Sequence, residues 1–485
     1  MRKPALLRLA GSVALLLLGG AVATGQGTAS SENCVDCLSV RVGPPIVVRG
    51  PFPDELDAPF TALRLADGSF RGFSANATTY AIDGATLWDM GGERQPLFHE
   101  GEPGSLNDCG SWLTSTVRDG DTVLGFVHQE GACDYNEGRT DKSMAMARSL
   151  DEGLTWTDLG TVVTGPDEPQ RARITGEGDC TMIDGRDGYL YGYCLRNSDW
   201  QTIVARAPMA EPTEWTKYFE GAWNEPGLDG RASDVGFVGP GVGYFEDFGA
   251  VAAISVDAWF GGLRLSLSAD KISFVDLKEP LVNLDETEWQ RPAQTELMAY
   301  ANIINPANGS SAVKSRFLLT YIYVPPGEGF ESRYLVFHEV ALGLGRQPEP
   351  VQVGMALTRW VEPARKLYVT SSGPMTGERA DYLQDRLVAY MLTRAPDGVA
   401  SVKIAECSSL SAGYLDQVLA EDGSCEAGGY RRDRTGGWLF ADQQLNSVPV
   451  YRCVNDEAKT HFASSAEDCE GLGRMEFLLG YGLAP

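Results

Sequence analysis

Short stretches of alternating apolar and polar residues recur along most of this chain and predict β-strands. Between residues 50 and 345 they form five similar units, each with an aromatic-rich strand, a polar connection, a second strand and a turn followed by an aromatic residue. Their strand segments are residues 60–65 and 70–73, then 122–127 and 143–148, then 188–193 and 202–206, then 251–256 and 263–268, and last 317–323 and 334–337. The pattern, together with 56 Gly and 26 Pro, predicts an all-β chain.

The turn that ends the second unit carries the most specific motif. Residues 149–156, SLDEGLTW, fit the pattern S-x-D-x-G-x-T-W of the Asp-box, which joins the two outer strands of a β-propeller blade. Asp151 can accept hydrogen bonds from the turn's N–H groups, Gly153 can take a positive φ, and Trp156 can pack between blades. Eroded copies end the first and fourth units, so we predict a five-bladed β-propeller. A β-sandwich, or two β-domains, is the alternative.

The predicted organisation has four parts. Residues 1–23 combine a basic start, an apolar run and small residues, as a secretory signal peptide does. A leader at 24–50 and the propeller at 51–345 follow, and a small disulfide-containing, β-rich C-terminal module occupies 346–485. After the signal peptide no apolar run approaches the roughly 20 residues of a membrane span, so we expect a secreted protein. We also expect a monomer.

The formal net charge of −26 disfavours nucleic acid and anionic membranes as partners and suits a neutral or cationic ligand. Solubility alone also explains such a charge. Ten cysteines indicate an oxidising compartment, and neighbours in the sequence suggest five pairs. Those pairs are Cys34/Cys37, Cys109/Cys133, Cys180/Cys194, Cys407/Cys425 and Cys453/Cys469. A Cys34–Cys37 redox motif is the alternative for the first pair. Four histidines without a spaced cysteine cluster predict no zinc site, and no cofactor is expected.

Acidic residues stand where strands of the first three units begin or end. Asp57 precedes the first strand, Glu130 follows His128 at a strand end of the second unit, and Glu177 and Asp179 lie in a glycine-flanked loop of the third. Because the innermost strands of a propeller converge on one axis, these carboxylates are predicted to meet there. For each, a solvated loop carboxylate or a turn cap is the alternative.

This order of elements resembles the five-bladed propeller glycoside hydrolases, the superfamily of arabinanases, furanosidases and β-xylosidases, over about residues 50–345. The His-x-Glu strand end, the acidic loop, residues 215–227 and the strand 333–336 carry the resemblance. It implies a general base, a helper and a general acid, one from each of the first three blades. Asp57 would be the base, although its context is Leu-Asp-Ala-Pro rather than His-Asp-Pro and Asp54 and Glu55 compete with it. Glu130 and either Asp179 or Glu177 would share the other roles.

Aromatic and basic residues could line a sugar site or form the core between blades. The candidates for substrate binding are Trp112, His128, Tyr193, Trp200 and Arg333. His128 is also a candidate for a structural Ca²⁺ site, but the sequence has no D-x-D-x-D-G run.

The end of the chain, with Tyr451-Arg452-Cys453 and His461-Phe462, resembles small modules that close many exported bacterial proteins. That resemblance implies surface or carbohydrate binding, and a cap that adds only stability is the alternative. The resemblance to the propeller hydrolases implies a secreted glycoside hydrolase acting on a polysaccharide or oligosaccharide, with an arabinofuranoside-type substrate as one option. A non-catalytic carbohydrate-binding or surface-adhesion propeller is the alternative. A sialidase is disfavoured, because only one Asp-box is intact.

Overall fold

The protein is described by a computed structural model that covers residues 38–54, 56–236, 239–256, 262–285, 295–344, 353–409 and 416–485. The predicted signal peptide, Cys34, Cys37 and Glu55 lie outside the described residues. The described part is all-β, as predicted, with 3₁₀ turns at Tyr135–Glu137, Phe330–Ser332, Gly377–Arg379, Glu426–Gly428 and Cys469–Gly471. None of its helical segments has the length and apolar character that a membrane crossing requires.

The first predicted unit folds into a four-stranded antiparallel sheet, which follows two short N-terminal strands. The N-terminal strands are β1 (Leu38–Val42) and β2 (Ile46–Arg49). The sheet consists of β3 (Thr61–Arg64), β4 (Phe70–Asn76), β5 (Thr78–Gly84) and β6 (Gln95–Phe98). Each strand pairs with its neighbour in sequence, because short turns favour local antiparallel pairing.

The second and third units form antiparallel groups that join into one nine-stranded sheet. The second consists of β7 (Gly110–Asp119), β8 (Thr122–Asp134), β9 (Arg139–Ser149) and β10 (Thr157–Thr164). The third consists of β11 (Ile174–Asp184), β12 (Tyr189–Arg196), β13 (Gln201–Pro208), β14 (Thr216–Phe219) and β15 (Ala222–Pro226). A short parallel pairing between β11 and β9 links the two groups.

The fourth unit is a five-stranded sheet, and the fifth opens the largest sheet of the molecule. The fourth contains β16 (Gly241–Phe245), β17 (Ala250–Val256), β18 (Leu263–Ser268), β19 (Val275–Asp276) and β21 (Ala312–Val313). The fifth contains β20 (Leu297–Ile304), β22 (Arg316–Val324) and β23 (Tyr334–Leu344).

Residues 38–49, which the sequence analysis assigned to a leader, belong to the folded sheet. Strand β1 pairs antiparallel with β23 and parallel with β24 (Val353–Glu362), and β2 also pairs with β23. Leu38, Val40 and Val42 are buried, whereas the residues between them are partly exposed. The described part of the predicted leader thus has the period-2 alternation of a strand, and β1 pairs on both of its edges.

The C-terminal region repeats one arrangement three times. In each repeat the first strand pairs with both strands that follow it. The repeats are β24, β25 (Leu367–Ser371) and β26 (Leu383–Leu392); β27 (Ser401–Ser409), β28 (Gln417–Glu421) and β29 (Tyr430–Phe440); and β30 (Ser447–Asn455), β31 (Thr460–Ser464) and β32 (Arg474–Leu483). The third strands β26, β29 and β32 pair with one another around a common apolar core.

The turn at residues 149–156 shows how one side chain organises a connection. The carboxylate of Asp151 accepts hydrogen bonds from Thr155 N and Oγ1 at 2.8 and 2.6 Å and from Leu154 N at 3.2 Å. Gly153 has φ +82°, and Trp156 Nε1 donates to its carbonyl at 3.0 Å. The Trp156 ring packs against Phe73 and Phe98 of the first sheet. Asp151 therefore fixes the turn and lets Trp156 join two sheets.

Four of the five predicted cysteine pairs are confirmed. Disulfides join Cys109 to Cys133, Cys180 to Cys194, Cys407 to Cys425 and Cys453 to Cys469. All four close short loops, which is why neighbours in the sequence identified them.

A buried histidine attaches the N-terminal strands to the fifth unit. His338 is fully buried, and its Nδ1 lies 2.7 Å from the Gly43 carbonyl oxygen. Because a carbonyl only accepts, Nδ1 carries the proton and Nε2 accepts the Tyr321 hydroxyl at 2.9 Å. Burial lowers the pKa of His338 to about 4.

We therefore expect the free energy of unfolding to fall by about 3 kcal/mol as the pH decreases from about 6.5 to about 4. Between these pH values the His338 imidazole is protonated in the unfolded chain but stays neutral in the folded protein. The stability that neutral His338 contributes is therefore complete above the unfolded pKa and is lost as the pH falls towards the folded pKa. Chemical unfolding of wild type, His338→Asn and exposed His99→Asn across this range measures it. The wild type and His99→Asn should follow one profile, and His338→Asn should lose less stability on acidification. A constant difference between wild type and His338→Asn contradicts the prediction.

Candidate functional site

The first strands of the five units contact one another in succession around one region. Strand β3 meets β7 through Thr61 and Thr116, whose hydroxyls are 3.2 Å apart. Strand β7 meets β11 where Ser115 accepts from Met182 N at 2.7 Å, and β11 meets β16 where Thr181 accepts from Val242 N at 3.2 Å. Strand β16 packs on β20, and Asn302 of β20 donates to the Phe60 carbonyl beside β3 at 2.9 Å. Side chains from distant parts of the sequence are thereby brought to one place.

Asp57 lies just before β3 and is the most accessible carboxylate of this region. Its backbone N–H donates to the Ala75 carbonyl at 2.7 Å, which fixes the segment against β4. Its side chain is 32 % exposed and lies 2.6 Å from Nη1 of Arg333. Arg333 Nε donates to the Phe330 carbonyl at 2.7 Å. The guanidinium is thus oriented from one side and presents its other side to Asp57.

Glu130 lies near the end of β8, opposite Lys142 of β9. Its Oε1 is 3.3 Å from His128 Nε2 and 3.5 Å from Lys142 Nζ, and its Oε2 accepts the Tyr135 hydroxyl at 2.6 Å. Burial opposes ionisation, but the Lys142 charge and the hydrogen bonds from His128 and Tyr135 outweigh it and hold the pKa of Glu130 well below its ordinary value. Glu130 is therefore ionised at neutral pH.

Asp179 reaches the same region because β11 bulges between Gly178 and Thr181, where Asp179 takes φ +53°. Its Oδ2 accepts from Lys142 Nζ at 2.8 Å, and its backbone N–H donates to His128 Nδ1 at 3.0 Å. A Cβ on Gly178 would lie 2.6 Å from His128, so glycine is needed for this approach. Since Nδ1 accepts, the His128 proton is on Nε2 and points to Glu130.

Lys142 connects the two inner carboxylates. Its side chain is largely buried and contacts both Asp179 and Glu130. Burial lowers the pKa of Lys142, but the two carboxylates outweigh this and raise it above the usual value. Lys142 therefore keeps its positive charge between Asp179 and Glu130. A Ca²⁺ ion at His128 stays a prediction, and it would have to compete with this ammonium group.

Tyr300 completes the cluster from β20. It lies in a bulge between Ala299 and Asn302 with φ +51° and is partly buried. Burial raises the pKa of Tyr300 well above its usual value, and the negative charges of Asp57, Asp179 and Glu130 add to the effect. Its hydroxyl is therefore a neutral hydrogen-bonding group. Beside Tyr300 and Asp179 is a cavity of about 30 Å³, room for roughly one water molecule.

Of the predicted site residues, Glu130, Asp179 and His128 contact one another or share Lys142, and Asp57 pairs with Arg333. Trp112 is 5 % exposed and packs edge-on against His128 at 5.3 Å between ring centroids, so it supports that ring. Trp200 is partly exposed in the β12–β13 turn. The neighbouring Asn197 N donates to the Gly176 carbonyl at 3.0 Å, which places this turn near the start of β11.

Three predicted candidates have to be removed from the cluster. Glu177 is fully buried and pairs with Lys217 Nζ at 2.7 Å, because the bulge in β11 sends it away from Asp179. Tyr193 is a core residue whose hydroxyl donates to the Lys271 carbonyl. Asp54 is held by Arg49. Lys142, Tyr135 and Tyr300 were not predicted from the sequence. A lysine directly before an apolar strand was the available signal for Lys142.

No family model matches this chain, and no curated protein resembles it. Several solved structures of glycoside hydrolases resemble it in part. An α-L-arabinofuranosidase from Lactobacillus brevis is 12% identical, with a TM-score of 0.40 and coverage of 61% of this chain and 91% of that chain. A family 117 glycoside hydrolase from Zobellia galactanivorans is 11% identical, with a TM-score of 0.40 and coverage of 64% and 92%. A putative exo-β-1,3-galactanase from Bifidobacterium bifidum is 11% identical, with a TM-score of 0.39 and coverage of 63% and 97%. At these scores the similarity assigns no role to any residue.

Proposed function

We propose that this protein is an exported glycoside hydrolase, built as a five-bladed propeller, that cleaves a polysaccharide or oligosaccharide. The observation that carries the proposal is that Lys142 contacts both Glu130 of the second unit and Asp179 of the third, while Asp57 stands just before the first strand of the adjoining first unit. Glycoside hydrolysis uses such grouped carboxyl groups on either side of the scissile bond. The succession of contacts from β3 through β20 and back supports the propeller.

The surroundings of each carboxylate suggest its role. Asp57 is the most exposed and has Arg333 as its cation, so it is our candidate for the general base that activates water. Glu130 is held ionised and cannot donate a proton, so it serves as the helper that positions Lys142 and His128. Asp179 is then the candidate general acid. Its protonation requires Lys142 to turn towards Glu130 when the substrate binds.

A non-catalytic carbohydrate-binding protein is the second candidate, and one observation favours it. Each of the three carboxylates already contacts a cation, since Arg333 meets Asp57 and Lys142 meets both Glu130 and Asp179. A glycosidase needs one carboxyl group that stays protonated near neutral pH. If Lys142 does not move, the cluster can bind hydroxyl groups but cannot supply that proton.

Assays of the full-length protein on arabinan, galactan and xylan oligosaccharides separate the candidates. We expect hydrolysis by the wild type, and a decrease in kcat/KM of about 10²–10⁴ for Asp57→Asn and for Asp179→Asn. The matched control Asp119→Asn removes an exposed carboxylate at the C-terminal end of β7 and should leave the activity unchanged. Sugar binding without hydrolysis, abolished by the same substitutions, would instead identify the binding protein. Hydrolysis that survives both substitutions would overturn the proposed site.

A further inference from the structure

A second, larger concavity lies between the fifth unit and the C-terminal repeats. It measures about 610 Å³, within the range of small-molecule sites. Its wall includes the β1–β2 connection, the paired strands β22 and β23, the turn after β5, and β26 of the C-terminal region. The lining residues that carry side-chain chemistry are Arg41, Trp88, Arg316, Glu339, Gln384 and Tyr390. None of these six residues belongs to the carboxylate cluster described above.

Two aromatic rings give this groove flat apolar surface. Trp88 is 36 % exposed, although its ring edge is anchored on Phe337 at 5.3 Å between centroids. Tyr390 carries the Arg41 guanidinium over its face at 5.5 Å. Rings that are held on one side and open on the other are typical of sites for flat, partly apolar ligands such as sugar rings.

The charge of the groove differs from that of the whole molecule. It contains the guanidinium groups of Arg41 and Arg316 and the single carboxylate of Glu339, in a chain of net charge −26. Arg316 is exposed and forms no ion pair with any residue in the described ranges. Strand register places Glu339 diagonally from Arg316 on the paired strands, where a direct salt bridge is not formed. The groove is thus locally cationic.

Arg41 is held in place at the wall of the groove. Its Nη1 donates to the Val40 carbonyl at 3.0 Å, and its guanidinium lies over the Tyr390 ring. Planar carboxylates suit guanidinium groups because both of their oxygens can be bound at once.

We propose that this groove binds a glycan that carries a carboxylate, that is, a uronic-acid residue. Trp88 and Tyr390 contact the sugar faces, Arg316 and Arg41 bind the carboxylate, and Gln384 and Glu339 contact hydroxyl groups. The site does not depend on the proposed hydrolase activity.

Isothermal titration of the full-length protein with a short oligogalacturonate tests this assignment, with a neutral galactan oligosaccharide of equal length as the comparison. We expect the acidic ligand to bind more tightly and its binding to weaken as salt is raised. Arg316→Gln should weaken it about tenfold or more, since a charge-assisted contact is lost. The control Arg148→Gln removes an exposed arginine from β9, outside the groove, and should have no effect.

Two further variants keep the outcome decisive. Trp88→Ala should also weaken binding, whereas Glu130→Gln should leave it unchanged because Glu130 belongs to the other site. Equal affinity for the acidic and neutral oligosaccharides would overturn the assignment, and so would preference for a sulfated glycan. An effect of Arg148→Gln equal to that of Arg316→Gln, or loss of binding in Glu130→Gln alone, would also overturn it. Failure of hydrolysis in the assays above leaves these expectations intact.

Discussion

Replacing Lys217 by methionine is expected to lower the free energy of unfolding by about 3–5 kcal/mol at neutral pH. The side chains of Lys217 and Glu177 are both fully buried, and Nζ lies 2.7 Å from Oε2 of Glu177. Lys217 also donates to the carbonyls of Thr164 and Gly230 at 2.6 and 2.8 Å. Glu177 Oε1 has no hydrogen-bond donor among the described residues. The substitution therefore leaves a buried carboxylate without its direct ion-pair partner.

The loss should depend on pH. Burial already raises the pKa of Glu177, and Lys217 opposes that rise. Without Lys217 the folded pKa moves further up, so the folded variant binds a proton more readily than the unfolded chain. Its free energy of unfolding then rises as the pH falls through the folded pKa, and the deficit relative to the wild type becomes smaller under acidic conditions.

Urea unfolding at pH 8 and pH 5 measures both effects. Lys271→Met is the matched control, because its partner Asp187 is at the surface and such pairs contribute at most about 1 kcal/mol. The double variant Glu177→Gln/Lys217→Met should recover part of the stability lost by Lys217→Met. A loss for Lys217→Met no larger than that for Lys271→Met would show that this pair does not act as a buried ion pair.

Glu177 and its neighbour Asp179 show where prediction from sequence ends. Glu177 and Asp179 are two residues apart and would share one face of a regular strand. The bulge at Asp179 separates them, so Asp179 joins Glu130 whereas Glu177 turns to Lys217. Nothing in a single sequence marks the position of such a bulge. Tyr300 was missed for the same reason, since it reaches the cluster through a bulge in β20.

Features that depend on local interactions were predictable. Strand alternation, the turn around Asp151 and the four confirmed disulfides involve residues close in sequence. The meeting of Asp57 with Glu130 and Asp179 stays a prediction, whereas Glu130 and Asp179 both contact Lys142, as the order of the strands and the convergence of their ends suggest. Pairing between distant segments leaves no such local pattern. The pairing of β1 with β23 was therefore missed, and so was the pairing of β26, β29 and β32 that joins the three C-terminal repeats.

That distant pairing gives the second large effect. Val40 is fully buried at the centre of β1, opposite Leu342 on β23 and Val353 on β24. We expect Val40→Asp to lower the free energy of unfolding by about 4 kcal/mol or more, because a carboxylate without a partner would enter an apolar core. Since β1 lies between the fifth unit and the C-terminal repeats, proteolysis should become faster on both sides of it.

Guanidinium unfolding and limited proteolysis check this expectation. Ser39→Asp places the same charge on the neighbouring, partly exposed position and should cost about 1 kcal/mol. Val40→Ala should cost about 2 kcal/mol and provides a measurable variant if Val40→Asp does not fold. If Val40→Asp unfolds at the wild-type denaturant concentration, β1 does not join the two regions in solution. Faster cleavage on one side alone would show that the effect is local to that side, whereas faster cleavage on both sides identifies β1 as the strand that couples the fifth unit to the C-terminal repeats.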